Sequence, residues 1–379
     1  MNRNPLLGLE SLRQSIWMDY ISRGTTSSGQ LQRWIEEDGI SGVTSNPSIF
    51  EKAITESDDY DESIRDFTLK DMSSEEVFRS LTVEDIQRVA DLLRPTYHRT
   101  DGRDGFVSLE VSPTLAHDTT GTIEEARDLW ALVNRPNAMI KVPATSEGIP
   151  AIRELTGEGI NVNITLLFGL PRYREVADAY LDGLEMLAAK GRPLKQVASV
   201  ASFFLSRIDS LIDPILEKNM KADNSQAGIA ERLQGQVAIA SAKVAYEMYK
   251  EIFGSERFAS LAKKGARTQK LLWASTSTKN PAYSDTKYME ALIGPDTINT
   301  VPVETLDAYR DRGHPEQTLD QEVREAYQLL DSLSSVGIDL DAVTQQLEDQ
   351  GVEKFITAFN RLMASLKEKA AGVHELHGR

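Results

Sequence analysis

Lys141 is the residue whose setting most directly suggests chemistry in this 379-residue chain. It lies in the apolar run Met139-Ile140-Lys141-Val142, just before Pro143. Side chains alternate along a strand, so Met139 and Lys141 share one face. A lysine held among apolar groups loses hydration, which disfavours its charged form and should lower its pKa. A neutral amine in a dry pocket can attack a carbonyl and form a Schiff base. The segment also fits a structural role, in which the ammonium pairs with a nearby carboxylate or reaches along its stem to water at the rim.

Other polar residues sit in comparable places. Asn163 and Thr165 lie two apart in the run Val162–Phe168, so both face the same way. Buried there, they need partners, either each other and the backbone or a water and a substrate hydroxyl. Asp19 closes the run 15–20 and could equally be a helix cap or turn residue. In Thr44-Ser45-Asn46-Pro47, the proline pushes Asn46 out of the α region and ends the strand there, with a helix free to begin at Ser48. An Asx-type turn is the plain alternative. Glu110 shares a face with Phe106 and Ser108 at the end of the run 106–111, where an acid is costly unless paired or used. Arg207 follows the strand at 196–201 closely enough to reach a phosphate, or is a surface arginine near a helix start.

The elements that must position these residues are strands at 15–20, 40–43, 106–111, 139–142, 160–167, 196–201, 270–273 and 297–301, each followed by helix. That alternation predicts a parallel α/β barrel. A doubly wound sheet alternates too, but no glycine-rich turn follows the first strand, and neither G-x-G-x-x-G nor a P-loop occurs. Asp19, Asn46, Glu110, Lys141, Asn163, Thr165 and Ser202 all fall near strand C-termini, which in a barrel converge on one mouth. A single shared site explains them together. The expected fold is an α/β (β/α)8 TIM barrel with inserted helices at 55–105 and 208–265 and a helical C-terminal extension. It reads as one domain, 1–379, with the barrel core at about 15–310 and C-terminal helices over about 311–370. Those helices are expected at 303–310, 319–335, 340–349 and 351–368. The last, with Phe355 and Phe359 at i, i+4, is expected to pack across the mouth, so that truncation near residue 350 costs activity more than folding.

Totals narrow the function classes. The 42 basic and 58 acidic residues give a net charge of −16, which argues against nucleic-acid or anionic-membrane partners. An anionic substrate bound by a local positive field stays open. The absence of cysteine excludes disulfides, thiolate catalysis and cysteine metal sites. The five histidines show no metal-ligand spacing, and no metal or other cofactor is expected. No apolar run approaches the roughly 18 residues of a membrane span, and the start lacks a signal-peptide core, so a cytoplasmic protein is expected. Monomer and homodimer both remain open.

The motifs together resemble one family. Gly42-Val43-Thr44-Ser45-Asn46-Pro47-Ser48 is similar to the first transaldolase signature. Ile140-Lys141-Val142-Pro143-Ala144-Thr145, with Gly148-Ile149 and the run Gly159–Phe168, is similar to the lysine-bearing second one. The resemblance spans about 15–310 and is closest to the longer bacterial branch. It implies a cofactor-free class I enzyme of the non-oxidative pentose phosphate pathway. Such an enzyme moves a dihydroxyacetone unit from sedoheptulose 7-phosphate to glyceraldehyde 3-phosphate, giving erythrose 4-phosphate and fructose 6-phosphate. By that resemblance Lys141 forms the imine, Asp19 is the acid–base group, and Glu110 with Thr165 holds a catalytic water. Asn46, Asn163 and Ser202 fall where the family binds sugar hydroxyls, Phe204 falls on the pocket wall, and Arg207 matches a phosphate ligand. Ser277-Thr278-Lys279 departs from the expected Ser-x-Arg, since lysine offers charge without a bidentate fork. Two other readings are an enzyme resembling the fructose 6-phosphate aldolases, which release free dihydroxyacetone, and a non-catalytic barrel that only binds. The intact Asp19, Glu110 and Lys141 argue against the second.

Overall fold

The computed structural model describes residues 4–221 and 226–377. Eight parallel strands close a barrel in chain order: β1 (Gln14–Met18), β2 (Ile40–Val43), β3 (Phe106–Glu110), β4 (Ala138–Pro143), β5 (Val162–Leu167), β6 (Ser199–Phe204), β7 (Lys270–Ala274) and β8 (Thr297–Val301). The seam is a continuous β1–β8 ladder from Gln14↔Thr297 to Met18↔Val301. Helices cover the outside, as burial of a parallel sheet on both faces requires. The fold is therefore the expected (β/α)8 barrel with a helical C-terminal extension.

β6 begins later than the sequence suggests. Residues 194–197 form a turn, closed by the Val197 amide on the Leu194 carbonyl at 3.1 Å. The chain enters the sheet only after the Ala198 amide meets Asn161 Oδ1 at 2.9 Å. Ser202 and Phe204 thus lie within the strand rather than after it, two apart on one face.

The barrel interior changes character with height. Trp17, Phe106 and Met139 fill the bottom, and Gly42 leaves room for the indole, since a Cβ there would lie 2.3 Å from the Trp17 ring. Above them Asn163 donates to Ser108 Oγ at 2.9 Å and accepts from Ser202 Oγ at 2.7 Å, so a neutral polar layer is satisfied internally. The charged residues lie at the top.

The inserted segment forms the helices Pro47–Thr55, Asp61–Thr68 and Ser74–Arg99. The last of these opens with a capping box between Ser73 and Glu76. They hold down the chain after β1: Arg23 is buried and donates to Asp85 at 3.0 Å, while the Tyr60 hydroxyl donates to Asp85 at 2.8 Å.

The C-terminal helices differ from expectation. The 319–335 region is a shorter helix, Val323–Ser332, followed by a 3-10 turn that ends at Gly337 with φ 75°. Two helices expected at 340–349 and 351–368 are a single helix, Leu340–His377, of 38 residues. Gly351 does not break it. A Cβ there would stand 2.9 Å from Leu166 Cδ2 and 3.5 Å from Arg207 Nη1, so this glycine serves close approach of the helix to the barrel. Val352, Phe355, Leu362 and Leu366 join the main core, and Phe359 meets the edge of Phe78 at 5.6 Å. Among the described residues no helix is long and apolar enough to cross a membrane.

Candidate active site

The β3–β4 register pairs Glu110 with Lys141 directly. Lys141 Nζ lies 3.0 Å from Glu110 Oε2 and donates to the Ser45 carbonyl at 2.8 Å. Both side chains are buried, at 5% and 4% exposure, so this pair is desolvated rather than a surface contact. Burial raises the Glu110 carboxyl above the ordinary carboxylate range, and the Lys141 charge opposes it only partly. Neither Glu110 oxygen makes an aligned hydrogen bond, and the nearby hydroxyl of Thr165 also lacks a partner among the described residues. Buried polar atoms left in this state mark a place for water or ligand.

Asp19 follows β1 immediately and is fixed from two sides. Its amide donates to the Val301 carbonyl at 2.8 Å, and Thr44 Oγ1 donates to its carboxylate at 2.8 Å. The carboxyl is held above its usual range by burial, against the pull of Lys141, Thr44, Arg207 and Lys279. Thr44 lies 2.9 Å from the Thr300 hydroxyl, which ties this group to β8.

A cavity of about 290 Å³ opens above this floor. Asp19, Asn46, Lys141, Thr165, Ser202, Phe204, Arg207, Ser277 and Lys279 all line it, so nine of the eleven candidate residues meet in one place. Glu110 and Asn163 lie outside the lining. Glu110 acts on it through Lys141, whereas Asn163 is fully buried beneath Ser202 with its amide engaged by Ser108 and Ser202. Asn46 also caps the Pro47–Thr55 helix through the Ile49 amide at 3.0 Å.

Local backbone shapes the floor. The β5–β6 register shifts between Ile164 and Leu167, and Leu166 takes φ 55°. A left-handed leucine costs about 1–3 kcal/mol. The bulge turns Thr165 into the cavity, and Leu166 is held under Gly351 of the long helix.

The outer wall is cationic. The Arg207 guanidinium lies 5.4 Å from the Phe204 ring centre and 6.0 Å from that of Phe355. Lys279 Nζ donates to Ser277 Oγ at 2.7 Å. Lys52 and Lys354 complete this wall. Thr44, Lys52 and Lys354 are residues that sequence reasoning did not assign. Thr44 lies inside the quoted Asn-Pro motif, and Lys354 precedes Phe355. Lys52 stands one turn after Ser48, with no local signal of its own.

A larger groove of about 570 Å³ lies between Phe50, Phe78, Leu129 and Phe359, and Asn46 and Glu110 line it as well. Its charged lining is mainly acidic, with Arg79 the one basic side chain. An anionic carbohydrate fits the mouth better.

The chain matches the transaldolase/fructose-6-phosphate aldolase family over residues 16–366. It belongs to that family. A transaldolase from Trichodesmium erythraeum is 46% identical over 97% of this chain and 98% of its own length. One from Saccharopolyspora erythraea is 47% identical over 94% of both chains. One from Thermobifida fusca is 46% identical over 97% of this chain and 99% of its own. The family match runs past the eight strands and into the long helix, so that helix belongs to the shared architecture.

Among the described residues no cluster of histidine, aspartate and glutamate is placed to hold a metal ion. The side chains of His374 and His377 lie outside the described ones.

Proposed function

We infer that this chain is a transaldolase that transfers a dihydroxyacetone unit between ketose and aldose phosphates through an imine on Lys141. The observation that carries the reading is the Lys141 amine, 3.0 Å from a buried carboxylate, on the floor of a cavity walled by cations.

Lys141 must lose its proton before it can attack, and Glu110 is the carboxylate placed beside it to receive that proton. The free amine then adds to C2 of the ketose, and loss of water gives a protonated imine. Water handled between Glu110 and Thr165 would carry the protons of that step and of the later hydrolysis. Asp19 takes the proton from the C4 hydroxyl as the C3–C4 bond breaks. The bonding pair moves to the iminium nitrogen, leaving an enamine, and the aldose phosphate departs. An acceptor aldehyde reverses the step: the enamine carbon attacks, Asp19 returns its proton to the new hydroxyl, and water releases the product. A carboxyl held above its usual range suits a group that must both take and give a proton.

The remaining candidates sort by position. Arg207, Ser277 and Lys279 bind phosphate; Asn46 and Ser202 meet sugar hydroxyls; Phe204 shapes the wall. Asn163 acts as a positioning residue beneath Ser202. The long helix shares the barrel core, which supports treating the chain as one domain.

The family description also covers fructose-6-phosphate aldolases. Near-full-length relatives that bear the transaldolase name favour transfer over release. The test is borohydride reduction with fructose 6-phosphate, then peptide mapping, with Lys141→Ala as control. A three-carbon adduct on Lys141 supports the reading, and its absence from folded protein discards it. Free dihydroxyacetone made as fast without acceptor as product is made with it would favour the aldolase.

A further inference from the structure

Two cavities meet at the Lys141–Glu110 pair. Lys141 and Thr165 line the mouth cavity, Glu110 lines the larger groove, and Asn46 lines both. The 3.0 Å ion pair therefore spans the partition between them. The Thr165 hydroxyl and the Glu110 carboxylate oxygens, all without an aligned hydrogen bond, belong to opposite sides of that partition.

The partition is thin because the sheet is open there. β2 pairs with β3 at Gly42↔Phe106 and Val43↔Val107 and no further, whereas β3 stays paired with β4 up to Glu110↔Lys141. The cause lies in the Asn-Pro turn. Asn46 caps the next helix and Pro47, which has no N–H to give a ladder, opens it, so the chain leaves the barrel wall after Ser45. Ser45 alone bridges the gap: its hydroxyl donates to the Ser108 carbonyl at 2.7 Å and its carbonyl accepts from Lys141 Nζ at 2.8 Å. Among the described residues no backbone hydrogen bond joins 44–48 to 109–112. A slit is left between β2 and β3, level with Glu110. Outside it the groove offers Ser112, Thr114 and Glu125, polar groups of the kind that hold water.

Imine chemistry needs water to pass. Glu110, having taken a proton from Lys141, returns it to the hydroxyl of the carbinolamine at C2. The C2–O bond breaks, the nitrogen lone pair closes the C=N bond, and the C2 oxygen leaves as water. Hydrolysis requires a water to come back. During both steps a ketose phosphate stretches from Lys141 to the cations of the outer wall, so it stands in the mouth.

We propose that the slit between β2 and β3 is a water passage, which connects the Glu110–Thr165 place to the groove while sugar phosphates use the mouth. Substrate and water then have separate entrances. Both Glu110 oxygens are covered, so water passes as side chains move, and Asn46, common to the two cavities, stands between them. The proposal rests on the transaldolase reading.

The test follows oxygen-18 placed at C2 of fructose 6-phosphate. In Asp19→Asn, where the imine is expected to form and reverse without cleavage, the ketose stays in the mouth and label reaches bulk water only if water escapes beneath it. Loss of label is read by mass spectrometry, with Lys141→Ala giving the uncatalysed rate. Ser112→Trp is added to fill the groove beside the slit, since the Ser112 hydroxyl meets that of Thr114 at 2.8 Å and takes no part in the mouth. Label loss is expected to slow at least about tenfold, about 1.4 kcal/mol on the escape barrier, while the final yield of borohydride adduct on Lys141 is unchanged. Equal label loss with and without the tryptophan overturns the passage, because the water then leaves through the mouth. If Ser112→Trp lowers adduct yield as well, Thr114→Trp at the exposed lip replaces it, and failure of both to separate label loss from adduct yield also overturns the passage. No adduct and no Lys141-dependent label loss, even without a tryptophan and with Asp19 intact, overturns the transaldolase reading and the passage with it.

Discussion

Glu110 and Lys141 face each other as register partners on β3 and β4, and their charged ends meet at 3.0 Å inside the barrel. Lys141 is the main counter-charge of Glu110, and both side chains are buried. Lys141→Ala therefore leaves a buried acid alone, at a cost of about 3–5 kcal/mol at neutral pH. Burial holds Glu110 above its ordinary value of 4.5. The folded state thus prefers the protonated acid, and this group's relative stabilisation is complete below 4.5 and lost as pH rises through the folded value. Urea melts should show Lys141→Ala closest to the unsubstituted protein in acid and furthest above neutrality. The double variant with Glu110→Gln should regain much of the loss, and a pH-independent deficit would contradict the pairing.

Asp19→Asn should separate imine formation from bond cleavage. Borohydride should still trap a ketose on Lys141, while turnover falls by at least about 100-fold. In the proposed mechanism the ionised form takes the hydroxyl proton, so activity should decline as pH falls through the raised Asp19 value, above the usual 3.8. That acid limb should be missing from the residual activity of the asparagine variant. Its survival would move the titrating group elsewhere.

The loop that carries Lys279 is tied to the helix that carries Arg207. Tyr283 donates to Asp213 at 2.7 Å and Tyr288 donates to Asp209 at 2.7 Å, with both acids on the Ser206–Lys221 helix. Tyr283→Phe is expected to raise KM for fructose 6-phosphate several-fold, since one hydrogen bond to a charged group is worth about 1.5–3 kcal/mol. KM for unphosphorylated dihydroxyacetone should stay the same. An equal change for both would mean that the loop does more than place the cation.

Gly42→Ala tests the bottom of the barrel alone. Its Cβ would lie 2.3 Å from the Trp17 ring, and that indole also donates to Asp104 at 2.8 Å. Overpacking of this kind costs about 1–3 kcal/mol. The midpoint of denaturation should drop, while KM for sugar phosphates holds in protein that remains folded.

Truncation near residue 350 is a poorer probe of the site than the sequence suggests. It would remove Val352, Phe355, Phe359, Leu362 and Leu366, all nearly inaccessible to solvent. At about 1.5–3 kcal/mol each, their loss rivals the whole stability of a typical protein, about 5–15 kcal/mol. The shortened chain is expected to lose its cooperative thermal transition. A sharp melt at the original temperature would show that the helix is dispensable to the core.

The barrel was legible because each strand is a compact apolar run between helical stretches. Asp19, Glu110 and Lys141 stood out for the opposite reason: ionised side chains inside such runs cannot be accidental neighbours of leucine and valine. Lys52 and Lys354 gave no such sign, because a lysine on an exposed helix face looks the same whether or not it overlooks a cavity. The break expected between 349 and 351 is absent because Gly351 serves the close approach of Leu166 and Arg207, which lie on other elements and leave no local trace. The start of β6 was misplaced because Asn161, from the neighbouring strand connection, receives the Ala198 amide and decides where the ladder begins.

The Leu340–His377 helix follows all eight strands in the chain, so a ribosome completes it after them. A nascent chain that has just emitted β8 already holds Lys141, Glu110 and Asp19, yet has neither Phe355 against Arg207 nor Lys354 at the rim. For that interval, at about 5–20 residues per second, the reactive amine is under construction with its cover not yet made. Docking of the helix both buries the remaining apolar surface and finishes the cationic wall of the cavity. Closure of the core and completion of that wall are thereby the same event.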